Sequence, residues 1–337
     1  MTHGTGGTER RTVPDGLPVS IADVEEAARR IAGVVVPTPV LRADALDAAV
    51  GARVHLKAEN LQRGGSFKLR GATNLLASLT DDERARGIVA YSSGNHARGV
   101  AIAARTLGID AVVVMPHDAP PEKVAAVGAE GATIVGYDRY TEDRAAIAAS
   151  IATRDGRTVV PPFDDPRIMA GQGTVALELA EQVERLDVLV VCLGGGGLLS
   201  GCAVVAADRW PGVRIIGVEP DAGDDHRRSR AAGHRVAVAV PRTIADGQAT
   251  TMPGEHTWAV NGALVDEFVS VSDTAIVEAM RFVFDELNVV AEPSGASALA
   301  ALLSGVVTVP VGARVGVTLS GGNVSVSRFA RLLGETP

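Results

Sequence analysis

Val188-Leu189-Val190-Val191-Cys192-Leu193-Gly194-Gly195-Gly196-Gly197-Leu198 runs from an unbroken apolar segment into four glycines and on into an Ala-rich helical stretch. A short continuous Val/Leu run that stops at glycine suits a strand buried on both faces, since a half-buried strand would alternate. Consecutive glycines let backbone N–H groups face inward with no Cβ in the way. The helix that follows adds its positive N-terminal end. Such a bend suits a phosphate. It has neither the G-x-G-x-x-G spacing of a dinucleotide turn nor the Gly-Lys-Ser/Thr ending of a P-loop.

The same alternation extends in both directions. Ser20 to Asp23 opens an amphipathic helix that Gly33 closes. Further strands are expected at Val54–Lys57, Ile88–Tyr91, Ala111–Met115, Thr133–Val135, Thr158–Val160, Arg214–Val218 and Arg314–Leu319. Helices are expected at Asn95–Leu107, Glu142–Arg154, Gly173–Arg185 and Ser272–Leu287. Strands separated by helices predict an α/β fold with parallel sheet covered on both faces, whose ligands bind at the carboxyl ends of strands. Three glycine-bearing loops stand at such ends: Ser92 to His96, Gly194 to Gly197, and Ser320 to Asn323.

At 337 residues, two lobes can share one cleft. The composition is 46% hydrophobic and 21% charged, that of a well-packed globule, and the net charge of −8 argues against a nucleic-acid or anionic-membrane partner. Cys192 and Cys202 match no zinc spacing or disulfide framework and read as two small buried hydrophobes. No apolar run approaches the roughly 20 residues needed to span a bilayer. Residues 1–18 lack an apolar signal core and read as a loose tail, so a cytoplasmic location is expected.

Only three of the 32 basic residues are lysines: Lys57, Lys68 and Lys123. A lysine amine can lose its proton and attack a carbonyl, which an arginine cannot. Lys68 lies in Gly65-Ser66-Phe67-Lys68-Leu69-Arg70-Gly71-Ala72. Ser66 is placed to cap a helix with Lys68 in its first turn, where the positive helix end and desolvation both disfavour the ammonium.

That motif resembles the cofactor-lysine motif of the threonine dehydratase and serine racemase family, fold-type II pyridoxal-phosphate enzymes. Leu56 to Gln62, Ser92 to Ala97, Pro162 to Pro166, Ala170 to Thr174, the glycine tetrad, Thr243 to Gly247, Glu292 to Ala296 and Ser320 to Asn323 match further blocks. They occur in family order from residue 20 to residue 325. The resemblance implies two parallel-sheet α/β lobes with pyridoxal phosphate between them. The large lobe would hold residues 19–80 and 162–337, the small mobile lobe 81–161, with no C-terminal regulatory domain and a homodimeric assembly.

It also implies roles. Lys68 would carry the cofactor as a Schiff base, with Phe67 against the pyridine ring. Gly194, Gly195, Gly196, Gly197 and Leu198 would hold the phosphate, Asn95 the ring hydroxyl, and Ser320 the ring nitrogen. Ser92, Ser93, Asn95, His96 and Thr250 would receive the substrate. The freed Lys68 amine would take the α-proton, and the β-hydroxyl would leave with the phosphate as a nearby acid, giving a 2-keto acid and ammonia. A serine at the ring nitrogen does not force protonation, which suits elimination. Ser93 stands where racemases place a hydroxyl on the face opposite the lysine.

Arg144 aligns with an arginine of the serine racemase and hydroxyaspartate dehydratase branch, where it can meet a second carboxylate; the other reading is a solvated helix residue. Glu219, Gly223 and Asp225 resemble that branch's divalent-cation loop, with oxygen donors for a structural Mg²⁺ or Ca²⁺. The sequence departs from the family at Gly64, at Arg98, where glutamine is usual, at Gln248-Ala249-Thr250 and at Ser325. Rival readings are a serine or aspartate racemase, a β-replacement synthase, and a non-catalytic phosphate-ligand binder that would have no use for Lys68.

Overall fold

The computed structural model describes residues 13–334. Ten strands follow in chain order: β1 Val40–Leu41, β2 Arg53–Ala58, β3 Ile88–Tyr91, β4 Ala111–Pro116, β5 Thr133–Tyr137, β6 Thr158–Val160, β7 Val188–Cys192, β8 Arg214–Pro220, β9 Glu267–Val271 and β10 Arg314–Leu319. They form a six-stranded sheet, β1-β2-β10-β7-β8-β9, and a four-stranded sheet, β5-β4-β3-β6. Every pairing is parallel except β1 with β2. All eight expected strands are present. The two extra ones are sheet edges, β1 of two residues and β9 with Glu267 and Ser270 in a run that is only part-buried. Neither carries a strong periodic signal.

Helices cover both sheets. All five β7 residues are buried, and each aliphatic side chain there contributes about 1.5–3 kcal/mol. Ser20 and Asp23 form a reciprocal capping box on the Ile21–Ile31 helix. Two expected helices start elsewhere than anticipated. One runs Arg144–Asp155, because Asp143 accepts from Ala145 N and Ala146 N and so sets its start. The other runs Pro166–Gln182, with Asp165 as cap and Pro166 in its first turn. A Cβ at Gly171 would lie 2.6 Å from the Gly71 Cα, so glycine lets that helix press against Lys68–Ala77. Of the expected tail, residues 1–12 lie outside the described residues. Val13 and Leu17 do not hang loose; they pack on the core.

Candidate active site

β3, β7 and β10 end at the three glycine-bearing loops, and the backbone draws these together. Ser66 bridges Gly321, Phe67 N donates to Ser320 O at 3.1 Å, and Gly322 N donates to Gly65 O at 2.9 Å. Ser66 therefore serves as extended backbone (φ −165°) beside the last loop and does not cap the helix as expected; the Lys68–Ala77 helix begins without a side-chain cap. Lys68 keeps its first-turn position.

The Lys68 Nζ donates to Pro162 O at 2.7 Å and lies 5.1 Å from the Phe67 ring centroid. Burial pulls its amine down from 10.5 to about 8. The next residue, Phe163, packs on the tetraglycine bend. A Cβ on Gly195 would fall 2.2 Å from its ring, and one on Gly197 would meet its backbone and Cβ. Two consecutive residues thus touch the lysine and the glycines, which holds both within the reach of one small molecule. Gly196 has φ +97° and starts the Gly197–Arg209 helix, whose first-turn N–H groups have no intrahelical acceptors. Thr257 Oγ1 and Asn261 Nδ2 donate to the carbonyls of Gly195 and Gly196, which points those oxygens away from the cradle. An anion with no room for side chains around it fits this bend, and an aldehyde fits the amine.

Ser320 is buried at the end of β10, close enough to Cys192 to influence its thiol. Burial raises that thiol to about 11, so Cys192 is inert but not remote: it senses Lys68. Asn95 opens the Asn95–Leu107 helix, accepts from Asn323 Nδ2 at 2.8 Å, and donates to Glu292 Oε1. Glu292 is buried, which raises its carboxyl to about 7. Ser92 and Ser93 are part-exposed on the same loop. His96 is buried against Val160 O at 3.0 Å, and burial, with Lys68 nearby, lowers its imidazole to about 3. It is therefore a neutral group on the loop that follows β3.

Arg144 is exposed at the start of its helix, with its guanidinium 5.9 Å from the ring centroid of Tyr91, the residue before Ser92. It lies at the rim of the cleft, close enough to act electrostatically on His96. The Thr250 hydroxyl, expected on the substrate side, donates to Asp225 of the acidic loop at 3.4 Å. Gln248 is buried and donates to Leu193 O and Val218 O, fastening the chain just before the tetrad.

In that loop, Glu219 accepts from His226 N at 2.9 Å and Arg227 N at 3.0 Å. Burial raises Glu219 and Asp225 to about 7 each and lowers His226 to about 4. Gly223 is buried in the preceding turn, and the third side chain meeting the two carboxylates is His226, which sequence reasoning overlooked. Its Nδ1 lies 3.5 Å from Glu219 and 3.6 Å from Asp225. Asp225 Oδ2 and both His226 nitrogens are buried without partners, a donor set that fits a divalent cation.

The other two lysines are structural. Lys57 is fully buried and donates to Glu178, Gln182 and Thr38 O, while Lys123 pairs with Asp246. Arg70, in the lysine motif itself, is fully buried and shared by Glu59 and Glu178 at 2.7–2.9 Å. Among the described residues, no helix is long and apolar enough to cross a membrane.

Residues 31–321 match the model of a family described as pyridoxal-phosphate dependent enzymes. The chain is 46% identical over 311 residues to the L-threo-3-hydroxyaspartate ammonia-lyase of Saccharomyces cerevisiae, covering 92% of this chain and 95% of that protein. It superposes on maize serine racemase with a TM-score of 0.90 at 39% identity, covering 93% of this chain and 96% of that one. On the processed form of threonine deaminase isoform 2 from Solanum lycopersicum the TM-score is 0.86 at 33% identity, covering 96% of this chain and 93% of that one. The chain belongs to the pyridoxal-phosphate-dependent enzyme family, in the branch that joins threonine dehydratases, serine racemases and hydroxyaspartate ammonia-lyases.

Proposed function

We propose that this enzyme eliminates water from a β-hydroxy dicarboxylic amino acid of the 3-hydroxyaspartate type and, as the resulting imine takes up a water in turn, releases ammonia and a 2-keto acid. The observation that carries the β-elimination chemistry is the pairing of a buried, low-pKa Lys68 amine with the tetraglycine bend through Pro162 and Phe163. Bound pyridoxal phosphate supplies the electron sink for the α-carbon. Around it, Gly194 to Leu198 would grip the phosphate by backbone N–H groups, Phe67 would pack on the ring, and Asn95 and Ser320 would meet its hydroxyl and nitrogen. Lys68, once released, takes the α-proton; an amine near neutrality can both accept and return it. Ser92, Asn95 and neutral His96 would bind the α-carboxylate without adding a charge that competes with Lys68.

Arg144 supports the dicarboxylate reading. It stands free of any carboxylate partner among the described residues, at the rim beside Tyr91, and a guanidinium pairs bidentately with a second substrate carboxylate. The similarity to a hydroxyaspartate ammonia-lyase points the same way. In Arg144→Ala, kcat/KM for 3-hydroxyaspartate should fall about 10- to 100-fold further than for serine or threonine, as expected for one charge-assisted pair. Equal losses on all three would remove the dicarboxylate and leave the elimination. Racemisation is the second reading, favoured by Ser93 in the same part-exposed loop, and inverted amino acid in that substrate panel would reveal it.

A structural Mg²⁺ or Ca²⁺ at Glu219, Asp225 and the Gly223 carbonyl belongs to the proposal, supported by the buried, unpartnered Asp225 oxygen beside Glu219. So does movement of residues 81–161 as a lobe over the cleft, supported by the separate four-stranded sheet. A homodimer follows family habit, and a cytoplasmic location agrees with two free thiols.

A further inference from the structure

Asn95 belongs to a chain of side chains that crosses the cleft. Arg98, one turn along the same helix, donates from Nη1 to Asn323 Oδ1 at 2.8 Å. Asn323 Nδ2 donates to Gly64 O at 2.7 Å and to Asn95 Oδ1 at 2.8 Å, and Asn95 Nδ2 donates to Glu292. Arg98 has no carboxylate partner among the described residues, and its Nε is buried without a partner. Its charge is spent on an amide, which is an unusual use for a partly buried guanidinium.

The chemistry of the donors explains the use. A side-chain amide can present either end, but arginine can only donate. Arg98 therefore compels Asn323 to offer it oxygen, which commits both Asn323 hydrogens to Gly64 and Asn95. Asn95 must then accept through Oδ1 and turn its Nδ2 toward Glu292 and the cleft. Glutamine, usual here in the family, could satisfy Asn323 from either end, leaving the Gly64 carbonyl alone to hold that amide in place. We propose that Arg98 is a positioning residue that locks the Asn95 amide with its N–H groups facing the cofactor ring hydroxyl.

This rests on the reading that Asn95 meets that hydroxyl. Glu292 holds the same orientation from the other end while it is ionised. Besides Asn95, the charged groups acting on Glu292 are Asp246, Lys123 and Arg328. Without Arg98, protonating Glu292 would leave only the Gly64 carbonyl to hold the two amides; with it, the orientation is fixed from both sides of Asn323.

The test is the dissociation constant of pyridoxal phosphate, read from its absorbance across pH, for the full-length protein and for Arg98→Met, Arg98→Lys and Asn323→Asp. Arg98→Met should bind about tenfold more weakly, and the gap should widen as pH falls through about 7. Arg98→Lys, again donor-only, should restore binding to within about threefold. Asn323→Asp keeps a partner for Arg98 but loses the donor to Asn95, and should reproduce the defect. Wild-type affinity and pH dependence in Arg98→Met, or in Asn323→Asp, would overturn the proposal, as would failure of Arg98→Lys to rescue. If the wild type itself binds no cofactor, the underlying reading of Asn95 fails instead.

Discussion

At the scale of one residue, Lys68 depends on where its amine is held. The first turn of a helix and a site screened from water both favour the neutral form, and the amine falls to about 8. Because the value is lowered, the reactive neutral fraction grows as pH rises through about 8, from about a tenth near pH 7 to about nine-tenths near pH 9. The rate at which apoenzyme condenses with pyridoxal phosphate should follow that curve. A rise centred above about pH 10 would mean an ordinary solvated lysine. This residue was legible because its signal is local: a rare lysine in a glycine-flanked helix start. His226 and the Asn323 contact were not, since each acquires meaning only from partners that the fold supplies. The Thr250 contact with Asp225 was hidden for the same reason, as nothing in Gln248-Ala249-Thr250 says which side chain reaches the acidic loop.

At the scale of elements, the Lys68–Ala77 helix is fastened by Arg70. It forks onto Glu59 and reaches Glu178, 108 positions away, in a group that also holds Lys57 and Thr38. Glu59 is fully buried, so Arg70→Ala would strand its charge, and losing one member of such a pair costs about 3–5 kcal/mol. Urea unfolding should register that loss in the apoprotein, before any cofactor is added. A change below about 1 kcal/mol would show that water or neighbours compensate the carboxylate. The strands were readable because short Val/Ile/Leu-rich runs alternate with longer Ala-rich helical stretches along the chain. Helix starts were less so, because Asp143 and Asp165 each offered a cap that shifted the boundary by two to seven residues from the apolar pattern.

At the scale of the molecule, the two sheets were readable from β/α alternation, and the site from the rule that strand ends converge. What the chain could not reveal by itself was which loops approach which. Lys123 on the Pro121–Gly128 helix pairs with Asp246 beyond the six-stranded sheet, at 3.1 Å, and so ties the two halves across the cleft. The acidic loop lies at the end of β8 in the six-stranded sheet, and a bound cation there would stabilise that half by mass action. Chelation should lower the melting temperature of the wild type by a few degrees and leave Asp225→Ala unmoved. Equal curves with and without chelator in the wild type would argue that the buried donors hold no metal.

The central claim is that one particular nitrogen of the chain forms the bond to the cofactor, and borohydride tests it most directly. Reducing the pyridoxal-phosphate-loaded protein and mapping its peptides should find the pyridoxyl group on the peptide containing Lys68, with Lys57 and Lys123 unlabelled and no label in Lys68→Ala. Label on either other lysine, or a protein that takes up no pyridoxyl group, would contradict the account.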